Sequence, residues 1–565
     1  MKYIYKIAVM SICLIITALF TSACGGGKTN PPNNSALYYL LAQQNNQQEQ
    51  NNNQQQEQNS NNNENNNNNE NNNNNENNNS ENNEENPVVN SEITLTLTDS
   101  KDADKIAKAD IYYKVESTAK TAEETEDQEI LKAEPTANDK TIFALQVNGK
   151  PENVKIKAIL TYDSEGNLLD YFSSASGVIS ENGNFNVDFE NSKDNEAGFG
   201  GGSGTTDDPY IISKPRHFIN INKMVISEAV LEAFSDDIPE NTSQDDIPDE
   251  VLDKILAYYS SELPDKSPYL YLDKKFIQTE DLDFTHLTGL KIVKAENDKD
   301  ITIETTNEKA PFYNNGKGIT PIGHYNPNLL GIYMSEEEIN LLLSQFFFKG
   351  DYNGDNHIID GLIFANGKSI ELPLDGISSV FTQMIPKYMT ILSLFVGSYE
   401  SNFTNITIGE NSIYFIDNSN TNNTNNLTTQ DSLRIYIPDE TDSFAKTYFG
   451  ISGLCFESFN TNFENCINKA KIVVKNTNYF ALKIAGLVEN CQSTAFKNCK
   501  NNGNITIDNV TITNVRQAIK AFYGMNIDML IGNPDNNVTE TNCTYDGVIT
   551  VEDQIINGRT YPVND

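Results

Sequence analysis

One short phrase returns at a fixed interval near the C-terminus of this chain. Residues 463–474 read FENCINKAKIVV, and residues 496–507 read FKNCKNNGNITI. Cys466 and Cys499 lie 33 residues apart, and Ile451-Ser452-Gly453-Leu454 keeps the same offset from Ile484-Ala485-Gly486-Leu487. A third copy, TNCTYDGVITV at 541–551, again sets Asn before Cys543, with Gly547 where the second copy has Gly503. A fainter copy, FTNITIG at 403–409, has Ile406 in the Cys place. Self-similarity at a fixed period is the mark of stacked repeats, because one unit cannot bury its own apolar face and needs a neighbour. Such a chain is expected to present a surface more than to enclose an active site.

Charge narrows the partners. Against 40 Lys and Arg stand 79 Asp and Glu, a net charge of −39 over 565 residues. A surface this acidic repels phosphate backbones, which argues against a nucleic-acid partner. Guanidinium comes only from Arg216, Arg434, Arg516 and Arg559, which weakens anion recognition further.

The first residues read as a targeting signal. Lys2 and Lys6 precede an apolar run, IAVMSICLIITALF at 7–20, that is shorter than the ~20 residues of a membrane span. TSAC at 21–24 follows. This arrangement resembles a bacterial lipoprotein signal peptide over residues 1–23. The resemblance implies cleavage before Cys24 and its acylation, so that the lipid membrane is one partner. Thr21 departs from the usual Leu of that pattern. Gly25 follows the Cys where inner-membrane lipoproteins of enteric bacteria carry Asp, so the implied location is the outer membrane or cell surface. From there to residue 90 the chain is a tether: 43–86 are almost all Asn, Gln and Glu, with too little apolar surface to offset the entropy of ordering. A stalk of selected length and drifted low-complexity sequence both fit it.

Residues 91–195 read as a β-sandwich. Alternating runs at 93–99, 109–115, 141–147, 154–162 and 184–190, with a turn at Asp163-Ser164-Glu165-Gly166-Asn167, give about seven short strands. Strands of this number and length suit an immunoglobulin-like or fibronectin-like spacer without an inter-sheet disulfide.

After the glycine-rich junction at 198–210, GSGTTDDPYIIS (202–213) resembles the opening of the GLUG-repeat bacterial surface proteins. FIQTEDLDF at 276–284, ITPIG at 319–323, FKGDYNGDNHIIDGLIF at 348–364, SLFVG at 393–397 and the Ile-x-Gly-Leu copies resemble further phrases of that family, in order. Thr320 replaces its Trp or Phe, and Phe456 and Glu489 replace a Gly. The resemblance covers about 200–551 and implies a right-handed parallel β-helix over 200–555. The residues independently support a β-solenoid: β-branched pairs alternate with polar residues, and Asn fills the turns, where identical copies can stack into a ladder. Phe463, Cys466, Phe496, Cys499, Cys543, Gly453 and Gly486 are its repeat positions, with Cys466 and Cys499 expected buried, close and unpaired. Disulfides stay open in an exported chain. VISEAVLEAF and DEVLDKILAYYSSEL within 223–262, and EEEINLLLSQF at 336–346, have helical spacing. Ser243 or Asp246 is the expected cap of the second, and the inserted helices are expected to close the open N-terminal end of the stack.

Chemistry is sparse. Asp351, Asn353 and Asp355 open like a Ca²⁺ loop, but Asn356 and Leu362 break the pattern, and the solenoid phrase with Ile358 and Leu362 inward fits better. No cofactor is expected beyond that weak Ca²⁺ option. Asp281 and Asp283 are the one tempting carboxylate pair for a polysaccharide lyase or hydrolase, but they lie within the family-like phrase, and turn or strand structure is the better explanation. The favoured reading is a non-enzymatic, adhesin-like surface protein that contacts a host or cell-surface protein or glycan. A polysaccharide-cleaving enzyme and a structural coat protein are the alternatives.

Overall fold

In the computed structural model, residues 90–561 are described apart from 116–128, 149, 179–182, 240–241, 243–246, 264–265, 326–335, 367–368, 372–385, 418–434, 437–446, 514–524, 536 and 557. Cys24, the tether and the proposed caps Ser243 and Asp246 therefore lie outside the described residues.

The N-terminal part is built of β1 (Asn90–Thr98), β2 (Lys108–Val115), β3 (Glu129–Ala133), β4 (Ile142–Asn148), β5 (Val154–Tyr162), β6 (Leu168–Val178) and β7 (Asn184–Asp188). They form one sheet of order β4-β1-β7 and another of order β3-β2-β5-β6. The alternation read from the sequence puts Ile93, Leu95 and Leu97 of β1 and Ile111 and Tyr113 of β2 into a core shared by both sheets. The first strand lies parallel to the last, pairing Leu95 with Phe185 and Leu97 with Val187.

The remainder is mostly β and runs as coils stacked in register. The first face stacks Tyr210–Ile212, Lys275–Gln278, Asp351–Asn353, Asn402–Thr404, Asn462–Glu464, Ala495–Lys497 and Thr539–Thr541. A second face runs from Leu282–Asp283 to Thr544–Tyr545, and a third from Ile363–Ala365 through Lys471–Tyr479 to Ile549–Val551. A fourth includes Tyr388–Leu392, Thr447–Ser452 and Ala481–Ala485, and a fifth includes Phe395–Tyr399, Cys455–Phe459 and Val488–Gln492. Strands join their counterparts one coil away in parallel, for example Phe403 with Phe463 and Phe463 with Phe496.

Register turns each repeat position into a column. The rings of Phe403, Phe463 and Phe496 stack at 5.0 Å between centroids, within 9° of parallel. Asn405, Asn465, Asn498 and Asn542 all hold the left-handed backbone that Asn tolerates, with φ near +55°. Their side chains form an outer ladder: Asn465 donates to Asn405 and Asn498 to Asn465, each at 3.0 Å, and Asn542 to Asn498 at 3.2 Å. Gly453 and Gly486 are needed for closeness. A Cβ on Gly486 would sit 2.0 Å from the Met529 carbonyl oxygen and 2.5 Å from the Asn501 side chain.

The period is not constant. Neighbouring coils are offset by 66, 76, 51, 60, 33 and 44 residues in chain order. Between the third and fourth faces Phe480 alone makes the corner in the shortest coil, whereas residues 418–446 separate Ile413–Asp417 from Thr447–Ser452 in the coil before it.

Helices sit differently from expectation. A short helix α1 (Pro215–Asn220) fills the first coil, its Phe218 packed among Phe284, Tyr352 and Phe395. The helices expected at the open end, α2 (Glu228–Ala233), α3 (Asp249–Glu262) and α4 (Glu336–Phe346), instead pack beside the coils. Their apolar stripes meet outward Met389, Ile391, Val396 and Phe456 in a second core. Residue Pro248, not a capping side chain, precedes α3. A hairpin of Leu290–Val293 and Thr302–Thr305 covers the outside of the third face similarly. Inward pointing also shifts by one residue from expectation, since Ile359 rather than Ile358 joins the core, beside Leu362.

Replacing Phe463 by Ala removes the middle ring of the column and should cost about 3–5 kcal/mol in urea unfolding. Glu464→Ala, one residue on and exposed, should change it by less than about 0.5 kcal/mol.

Candidate functional site

The repeat positions named from sequence are architectural in this structure. Phe463, Phe496, Cys466 and Cys499 are fully buried and both thiols are free. Cys466 donates to the Phe403 carbonyl at 3.5 Å and Cys499 to that of Phe463 at 3.4 Å. Cys543, on the last coil, is only half-buried. Gly453 and Gly486 face Asn468 and Asn501, two buried amides joined at 3.0 Å.

Asp281 and Asp283 are engaged in backbone geometry. Asp281 accepts the Ile358 amide at 2.8 Å and faces His357 Nδ1 at 3.3 Å. Asp283 accepts the Thr285 amide at 2.9 Å, which closes the turn after its strand. Asp351 takes the Asn402 side chain at 2.7 Å and pairs with Lys275 at 2.8 Å, while Asn353 Oδ1 accepts the Asp355 amide at 3.0 Å. Asp351 and Asn353 of the Ca²⁺-like phrase are thus bonded to neighbouring residues.

Two places carry more chemistry. The first is a cleft of about 540 Å³ where the N-terminal sheets meet the first coils, lined among others by Phe172, Ser213, Arg216, Thr279, Asp281 and His357. The sheets are fastened there. Tyr112 stacks on His286 at 4.4 Å, Ser173 Oγ donates to the Asp283 carbonyl at 2.6 Å, and Asn307 donates to the Tyr162 hydroxyl at 2.6 Å. Behind the cleft wall, the Ser213 amide donates to His217 Nδ1 at 3.3 Å, so Nε2 carries the proton and donates to Asp194 at 2.9 Å. Burial lowers the pKa of His217. Burial alone would raise Asp194, but His217 and Arg216 outweigh it and hold its carboxyl at about 2. Ser213, His217 and Asp194 lie in the order of a hydrolytic triad, with Ser213 Oγ 3.4 Å from Nδ1. However, the ring's lone pair already receives an amide and the ring has no exposed surface, so this group positions α1 rather than activating the hydroxyl.

The second place lies outside the fifth face. Glu457, Asn490 and Asn533 form one in-register column, and Glu489 lies beside it, fully buried. Asn533 donates to Glu489 at 2.5 Å, Asn490 to Glu457 at 3.5 Å, and Asn526 to the Asn533 carbonyl oxygen at 3.2 Å. Tyr325 hydrogen-bonds Glu457, and Lys483 faces Glu489. Burial pushes Glu457 up to about 7 and Glu489 to about 8. Two carboxyls that titrate near neutrality can donate or accept protons, which ordinary surface carboxylates cannot do there. Sequence reasoning missed them. The available signal was Glu489 standing in place of a repeat glycine.

Both carboxyls have pKa values raised above their unfolded values. Their neutral forms are therefore favoured on folding, and Glu457 contributes stability that is lost as pH rises from about 4.5 through about 7. Thermal unfolding between pH 5 and 8 should show that fall, and Glu457→Gln should flatten it. Comparison with known proteins returns no match: no family model, no curated protein and no solved structure resembles the chain at a significant level.

Proposed function

We propose that this chain is a lipid-anchored bacterial surface protein, held by acylated Cys24, that binds a glycan or protein of a host or neighbouring cell along a right-handed parallel β-helix. In this reading the stack belongs with the GLUG-repeat surface proteins, and the sheets of 90–188 form an immunoglobulin-like or fibronectin-like spacer. The observation that carries it is the exposed asparagine ladder on rigid, in-register coils, which repeats donors and acceptors along one edge. Extended polymers with their own repeat meet such an edge at many points at once, so weak contacts add.

Two measurements test it. Metabolic fatty-acid label should enter the wild-type chain and be lost in Cys24→Ser, with the variant moving to the soluble fraction. Cells displaying the full chain should bind components of a glycan and protein array in a saturable way, and Asn465→Ala/Asn498→Ala should weaken that binding at least tenfold. Retained label in Cys24→Ser, or no saturable binding, counts against the respective half of the proposal.

A further inference from the structure

The cysteines that mark the repeat also stand in a reactive arrangement. Cys466, Cys499 and Cys543 occupy one position on three successive coils, because Glu464 pairs with Lys497 and Lys497 with Thr541 two residues before them. Neighbouring strands lie ~4.8 Å apart, and a disulfide spans Cα separations of roughly 4.4–6.8 Å. The Cys499 thiol interacts with those of both neighbours. Accessibility is graded along the column: Cys466 and Cys499 have no exposed surface, while Cys543 is partly open.

The last coil is where a link would matter. Thr539–Thr541 and Thr544–Tyr545 are exposed edge strands, and no further strand pairs with them among the described residues. Tyr545, Val548 and Ile555 lie exposed on the same coil and its flanking strand. Unpaired edges fray and invite other strands.

We propose that Cys499 and Cys543 are a redox staple: a disulfide between them ties the last coil to the one before it, and Cys466 remains a thiol. The proposal rests on the exported reading above, since such bonds persist in oxidising compartments. The oxidant is a small-molecule disulfide or the disulfide of a thiol oxidoreductase. The accessible Cys543 thiolate attacks one of its sulfurs and expels the other as a thiol, leaving a mixed disulfide. The Cys499 thiolate then attacks Cys543 Sγ and expels the second thiol. Two electrons pass to the oxidant, and the two protein protons end on the released thiols. The neighbouring Cys466 thiol and burial hold Cys499 up at about 12, and the Cys499 thiol and burial raise Cys543 as well, so the reaction is slow and accelerates with pH.

Purified full-length chain is incubated with oxidised glutathione, alkylated in denaturant and mapped by mass spectrometry. The expected product is a cross-link between the peptides holding Cys499 and Cys543, absent in Cys543→Ser and retained in Cys466→Ser. Hydrogen exchange of residues 539–551 should slow at least tenfold on oxidation. Alkylation of all three thiols, a Cys466–Cys499 link, or chain dimers through Cys543 overturns the staple. The same map on chain taken from cells separates the two ideas: a reduced cellular form with a cross-link in vitro supports the staple and removes the exported reading.

Discussion

Parallel hydrogen bonding in register, coil upon coil, is the constraint on which the rest depends. It places each side chain directly over its own counterpart, so every position must tolerate its own copy at strand spacing. Phenylalanine satisfies this by ring stacking, asparagine by amide-to-amide bonding, cysteine by being small and apolar, and glycine by leaving room for a carbonyl. Charged residues meet an opposite charge in some columns, as Lys497 does over Glu464 at 2.6 Å, while Asp283 and Asp360 stand over one another on the second face. The same rule explains the cost at Glu489, a buried carboxyl whose charged form lacks water and is favoured only by Lys483 and the Asn533 amide.

Coils of this kind have two sides, and the chain treats them differently. The inside holds one continuous core from Phe199 to Val551. Outside, the fourth and fifth faces are covered by α2, α3 and α4, and the third by the hairpin, because their outward residues are apolar too. The first face keeps polar outward residues such as Asn402, Asn462 and Lys497. A single physical difference, the polarity of alternate residues, therefore decides which faces gather further layers and which stay available. Among the described residues the arginines lie beside the two ends of the stack. Arg216 bonds Asp194 beside the first coil, and Arg559 grips Asp528 and Glu540 beside the last.

Much of this was legible because it is local. The Phe-x-Asn-Cys phrase specified a column, and the helical spacing of 336–346 matches α4 to the residue. Other features depend on what the chain meets later. Insertions hid the period of the longer coils, since Phe403 pairs with Phe463 across 60 residues that share little sequence. Helices were legible as helices but not as a lateral layer, because Met389 and Phe456 reveal their second core only once both sides of their strands are known. Glu457 and Asp194 read as ordinary acidic residues. Their chemistry comes from Tyr325 and Asn490 in one case and His217 and Arg216 in the other, brought together by the fold.

The corner between the third and fourth faces has a consequence for how such a molecule can change. Phe480 alone turns the chain there in one coil, whereas in the coil before it 418–446 separate the two faces and Ile435–Tyr436 adds a strand beside Ile512–Thr513. Neither choice disturbs the columns, which resume in register on the far side. Length and composition at that corner are thus uncoupled from the packing of the interior. The chain between these two faces can therefore differ in length from coil to coil while every column on either side keeps its spacing.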